Sequence, residues 1–294
     1  MQKQHYIKTT CMIRDRMEVE KHYDLRYGSP GMPREKKSKK TPEEMAKQNL
    51  WRKQRDLRRL IELNFGPGDW HVVLTCKKDE RPSREEAPKV IREFWSKLRT
   101  ACRRKGWELK VIITCETGER GAVHWHMIVN DVHDGKESMA ALIRKLWIRG
   151  RPYFSPMDDS GDYKTLAEYI VKETADRIKK EETVEKLSYM CSRNLERPVI
   201  KPEKVEARSW RKEPKPPEGW ELVKGSLVNG TNKFNGLPYQ YYTLRRLMTN
   251  EDRRHLYRDK HKRTRKRSGP GDVPHEDKAS KRSRSRERPG GSGV

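Results

Sequence analysis

The apolar run Ala122-Val123-His124-Trp125-His126-Met127-Ile128-Val129 constrains this chain more than any other segment. Its length and residue types predict a β-strand. Side chains on a strand alternate between faces, so His124 and His126 share one face and Trp125 takes the other. Two imidazoles on one side of a strand are well placed to share a metal ion. The same pattern also suits two hydrogen-bonded histidines on a half-buried strand, so the neighbouring segments must decide.

The chain has 294 residues, 32% hydrophobic and 38% charged, which predicts one modest core with long solvated segments. A net charge of +25 favours a polyanion, most simply nucleic acid, over an anionic membrane surface. The sequence shows no apolar stretch of bilayer-spanning length and no pattern of a secretory leader. Cys11, Cys76, Cys102, Cys115 and Cys191 form no C-x-x-C pair and suit neither a zinc finger nor a disulfide framework. The expectation is a reducing compartment, the cytoplasm of a host cell.

Residues 1–40 are polar, end in the basic run Arg34 to Lys40, and read as a flexible basic segment, with Met17 as an alternative start. Thr41-Pro42-Glu43-Glu44 is a helix start, with Thr41 as cap, Pro42 in the first turn and Glu44 closing a capping box. That basic helix occupies residues 41–66 and stops at Gly66-Pro67-Gly68. Its Arg52, Lys53, Arg55, Arg58 and Arg59 are candidates for DNA contact or for plain solvation. A core domain follows over 67–195. Strands are expected at Trp70 to Cys76, Leu109 to Cys115 and Ala122 to Asn130, with a short one at Pro152 to Ser155. Helices are expected at about Glu85 to Arg104, Lys136 to Trp147 and Thr165 to Lys180, the last with Thr165 and Glu168 as a capping box. The order β-α-β-β-α-β-α predicts an α+β fold, an antiparallel sheet with helices packed on one face in the ferredoxin-like, split βαβ manner. Residues 196–250 form an extension with a patterned stretch from Trp220 to Leu247, and 251–294 a basic tail expected to be disordered.

Two elements carry chemistry. Thr117 to Gly121 is short and contains two glycines, so the strands on either side should form a hairpin. If its turn centres near Arg120, Glu116 faces His124 across neighbouring strands, about 5 Å away at Cβ. Two imidazoles and a carboxylate leave open positions on a divalent ion, and such a set suits Mn²⁺ as well as Mg²⁺. Glu119, nearer the turn, is the alternative third ligand. The second element is Leu166-Ala167-Glu168-Tyr169-Ile170-Val171-Lys172, where Tyr169 and Lys172 share a helix face. A tyrosine is a poor nucleophile unless a nearby cation helps it ionise. A packing tyrosine beside a solvated lysine is the other reading.

Taken in order, an apolar strand (Trp70 to Cys76), a His-hydrophobic-His strand (His124, Trp125, His126) and a helical Tyr-x-x-Lys (Tyr169, Lys172) resemble the HUH endonucleases. The similarity is to rolling-circle replication initiator (Rep) proteins of the filamentous-phage gene II type. It extends over roughly residues 41–200 and includes Cys115-Glu116-Thr117-Gly118 and the stretch around Tyr169. The resemblance implies metal-assisted attack by tyrosine on single-stranded DNA at a replication origin. The products are a 5′-phosphotyrosine and a free 3′-OH, and the linkage can be rejoined. Tyr163, six residues before Tyr169, lies off its face, which implies a single-tyrosine enzyme. Relaxases place the tyrosine before the histidines, unlike this chain. A single-tyrosine transposase and a non-enzymatic basic nucleic-acid-binding protein are the alternatives. Gly225 and Gly230 have P-loop spacing, but Thr231 stands where the lysine is needed, so a host helicase is the expected partner.

The tail holds fifteen Lys/Arg against seven Asp/Glu between Glu251 and Val294. Deleting it is expected to weaken DNA binding and flatten its salt dependence. The slope changes by roughly 0.7 to 0.9 per lost phosphate contact, measurable by titration at several salt concentrations. An unchanged slope would make the tail a solubiliser.

Overall fold

The computed structural model describes residues 5–23, 41–117, 122–158, 161–171, 189–232 and 236–247. The chain divides into two units, Met1–Arg246 and Leu247–Val294. All elements named below belong to the first. The basic run at 34–40 and the tail at 251–294 lie outside the described residues.

The strand runs and helix periods of the sequence become one five-stranded antiparallel sheet. Its strands are β3 (Trp70–Leu74), β4 (Val111–Thr117), β5 (Val123–Val129), β6 (Pro152–Pro156) and β7 (Met190–Cys191), in the order β6-β3-β5-β4-β7. Alternation then sorts the side chains. Val123, Trp125, Met127 and Val129 of β5 join Val72, Leu74, Val111 and Ile113 under α2 (Ala87–Arg104) and α3 (Met139–Leu146). Trp125 is wholly buried there, its ring edge-on to that of Trp147. Ser83 and Glu86 cap each other ahead of α2, and Ser138 caps α3.

The opposite face is not open. Ile112 and Ile128 project from it into a second core with Leu57, Leu60, Ile61 and Phe65 of α1 (Pro42–Asn64) and its C-cap, and with Ala167, Ile170 and Val171 of α4 (residues 164–171). The α+β class and the antiparallel sheet are as expected, but helices cover both faces of the sheet rather than one. Thr41, Pro42 and Glu44 form the expected capping box. The helix α4 starts one residue earlier than expected, with Asp162 accepting from the Lys164 N–H, so Thr165 lies inside it instead of capping it.

The reading of residues 1–40 as loop is corrected over its described part. Tyr6–Ile13 (β1) and Arg16–His22 (β2) form a hairpin that turns at Arg14-Asp15, with Arg14 at φ +51°. The hairpin lies inside a second antiparallel sheet with β8 (Val199–Val205), β10 (Val228–Thr231) and β11 (Pro238–Arg246), in the order β10-β11-β2-β1-β8. A short β9 (Trp220–Leu222) also pairs with β11. A chain starting at Met17 would lack β1 and the first residue of β2, both central in this sheet. Gly230 sits in β10 with the Tyr239 ring where a Cβ would stand, so the P-loop spacing marks a close strand contact.

The basic face of α1 is spent on this second sheet. Glu18 of β2 is buried and pairs with Arg58 and, at 2.6 Å, with Arg59; Arg55 approaches Glu20 at 3.8 Å. These three arginines are therefore internal partners rather than a DNA-facing stripe. Removing one member of a buried ion group leaves the others uncompensated. Glu18→Ala is expected to cost about 3–5 kcal/mol in denaturant unfolding. A loss below about 1 kcal/mol, the range of an exposed pair, would show that Arg58 and Arg59 find water instead.

Candidate active site

Register builds the site. β4 and β5 pair so that Glu116 faces His124 and Thr114 faces His126, which places the hairpin centre at position 120 as the spacing predicted. β3 pairs on the other side, with Val73 opposite His126. Glu116, His124 and His126 therefore project from one face, and His71 of β3 joins them there by the same alternation.

His126 is the hub. It is buried, and its Nε2 lies 2.5 Å from Glu116 Oε2. Its Nδ1 lies 3.1 Å from His71 Nε2, with the two rings stacked at 5.3 Å. The Glu116 carboxylate can only accept, so His126 Nε2–H donates to it. A neutral His126 then accepts at Nδ1 from His71 Nε2–H. Burial, with His126 beside it, pushes the His71 pKa down to about 4, so His71 is neutral at pH 7. Across the strand pair, His124 Nδ1 and Thr114 Oγ1 are buried with no hydrogen-bond partner among the described residues. A buried polar atom left unpaired costs about 1–3 kcal/mol, so this face is poor as a plain structural surface.

The helix α4 closes over this face. Ala167, Ile170 and Val171 are buried, while Tyr169 is 45% exposed with its ring edge-on to His126 at 5.4 Å between centroids. Tyr163 is buried and its hydroxyl donates to the Asp158 carbonyl, so it serves packing. Of the residues expected from the sequence, Glu116, His124, His126 and Tyr169 share one face of the fold; Lys172 and Glu119 lie outside the described residues. His71 is a site residue that sequence reasoning missed. Its signal was parity: it stands two positions before Val73, the cross-strand partner of His126.

Among the described residues no three His, Cys, Asp or Glu side chains stand together as a ready metal cluster. Glu116 and His126 are bonded to each other instead. The donor types nevertheless suit a divalent ion: two imidazoles, one with an unpaired buried nitrogen, and one carboxylate. Such an ion competes with the proton that His126 and Glu116 share, which makes its binding pH-dependent.

An antiparallel sheet that presents a His-Trp-His strand to a helical tyrosine is the setting in which family similarity can be weighed. Residues 69–174 match the family model of replication-associated proteins that groups the ORF2 type with the phage gene II protein. The matched stretch includes His71, Glu116, His124, His126 and Tyr169, and it is similar to the family that the motif order resembles. DNA replication is the process, and DNA the partner, that this family implies. No curated protein and no solved structure matches the chain. No helix among the described residues is long and apolar enough to cross a membrane.

The depressed His71 pKa has a sign. Between about pH 6.5 and 4 the unfolded chain binds a proton that the folded chain refuses, so stability falls as pH drops through that window. By pH 5 this amounts to about 2 kcal/mol relative to pH 7.5. His71→Gln should remove that loss in urea unfolding measured at both pH values. Parallel pH profiles for variant and wild type would refute the assignment.

Proposed function

We propose that this protein initiates rolling-circle replication by nicking single-stranded DNA at an origin, with Tyr169 as nucleophile. The observation that carries the reading is the edge-on approach of Tyr169 to His126, the imidazole that also bonds Glu116. The family match over the same residues supports the replication context. In this reading His124, His126 and Glu116 hold a divalent ion, Mg²⁺ or Mn²⁺. When bound, the ion polarises the scissile phosphodiester as a Lewis acid.

The chain's own residues do the rest. The apolar residues of α4 fix the backbone beneath Tyr169, so its hydroxyl is presented to the site with little conformational freedom to lose. The phenolic proton leaves, Tyr169 Oη bonds to phosphorus, and the bond from phosphorus to the 3′ oxygen breaks. The departing oxygen takes up a proton and becomes the 3′-OH that primes synthesis. Reversal of the same step rejoins ends. Lys172, one turn on, stabilises the phenolate or the charge growing on the phosphate. His71 holds the His126 ring through their hydrogen bond and is a positioning residue.

Tyr169→Phe should bind single-stranded DNA normally and form no covalent complex; Lys172→Ala should form it more slowly. The readout is denaturing electrophoresis with 3′-labelled oligonucleotides tiled from DNA flanking the coding sequence, then peptide mapping of the shifted band. An undiminished adduct in Tyr169→Phe, or label mapped to Tyr163, would overturn the nucleophile. His124→Ala or His126→Ala should abolish nicking in Mg²⁺ or Mn²⁺ while DNA affinity stays nearly unchanged, because phosphate contacts dominate affinity. Glu116→Ala should reduce activity at least about tenfold, the scale of a lost ligand or its support; if Glu119→Ala does so instead, the third ligand is Glu119.

A further inference from the structure

The second sheet has two unlike faces. One meets α1 through Glu18 and Glu20. The other carries Tyr6, Lys21, Tyr23 and Tyr242, and the segment between β8 and β9 lies across it. Between them is a cleft of about 430 Å³, lined among others by Tyr6, Trp210, Tyr242, Lys21, Arg211 and Lys215. None of its lining residues is a carboxylate.

The cleft is built rather than incidental. Trp210 stacks on Tyr23 at 4.9 Å and meets Tyr6 edge-on at 5.1 Å. Gln240, wholly buried, donates to the carbonyls of Arg211 and Lys212 at 2.9 and 3.0 Å, which ties the covering segment to the sheet. The same side chain accepts from Lys21 Nζ at 3.1 Å. Lys21 is 8% exposed and its ammonium lies 5.2 Å from the centre of the Tyr242 ring. Both of these neighbours are neutral. A buried cation without a counterion is costly in an empty cleft and favourable in one that receives an anion. Burial, with Lys8 nearby, accordingly depresses the Lys21 pKa. Arg211 and Lys215 are exposed at the rim.

We infer that this cleft binds one nucleotide unit of single-stranded DNA, its base among Tyr6, Trp210 and Tyr242 and its phosphate on Lys21, Arg211 and Lys215. Aromatic faces beside cations are how strands are held without regard to sequence, since every base has a π-face and every unit a phosphate. The volume suits a small-molecule-sized group. The choice of DNA rests on the nicking reading above. The cleft would hold the strand outside the Tyr169 site and give the enzyme grip independent of chemistry.

The test measures equilibrium binding of the full-length protein to labelled oligothymidylate by anisotropy, beside the adduct assay. Trp210→Ala is expected to weaken binding by about 5- to 100-fold, the range of one lost stacking platform, with Trp210→Phe recovering most of it. Arg211→Ala with Lys215→Ala, both at exposed positions, should weaken binding and lower the salt slope by about 1.4, for two phosphate contacts on single strands. That double variant carries the test should Trp210→Ala fail to fold. Oligothymidylate affinity and slope equal to wild type in the double variant would overturn the cleft, whatever the adduct assay shows. So would binding of free thymidine monophosphate as tight as that of the oligomer. Absence of an adduct, with cleft variants still weakened, would sink the nicking reading alone.

Discussion

The site depends on the register of β5 between β3 and β4. A one-residue slip of a strand turns every side chain to the opposite face. Here a slip would send His124 and His126 under α2 and bring Trp125 beneath Tyr169. The register is held from the far side, where Trp125, Met127 and Val129 fill the core beneath α2 and α3. On the site side, Ile112 and Ile128 seat α1 and α4. The polar constellation is thus positioned by apolar packing on both faces of the strand that carries it, as a preorganised site requires.

Much of the first sheet was legible because its determinants are local. The glycine-containing hairpin between β4 and β5, the apolar stripes of α2 and α3 and the capping box at Thr41 each lie within a few residues. The N-terminal strands were not legible for the opposite reason. Their turn, Arg14-Asp15, has no glycine or asparagine, although Arg14 takes a positive φ. Their buried charges look solvated until Arg58 and Arg59, some forty residues away, are brought against them. His71 was hidden likewise, since pairing partners rather than sequence neighbours reveal its face. The arginines of α1 looked like a nucleic-acid surface because charge alone does not say which side of a helix is covered.

The helix α1 serves both sheets. Its leucines and isoleucine pack into the core below Tyr169, and its arginines grip β2. Asn64 at its end exchanges hydrogen bonds with the backbone at Glu196, which fixes the chain leaving β7. The sheet with the aromatic cleft and the sheet with the histidines are therefore braced by one element with two chemically distinct faces.

The interleaving of chain ends has a consequence for biosynthesis. β1 and β2 precede everything else, yet their outer partners are β8 and β11, near residues 200 and 240. During translation the N-terminal hairpin emerges with both edges unpaired and keeps them so until nearly all of the unit ending at Arg246 has been made. Exposed edges of this kind recruit other strands. The histidine-bearing sheet, contained within residues 70–191, can assemble in the interval. A ribosome-bound intermediate would therefore hold a nearly formed catalytic half beside an unsatisfied hairpin, and polypeptides truncated before β11 should need chaperones that the finished protein does not.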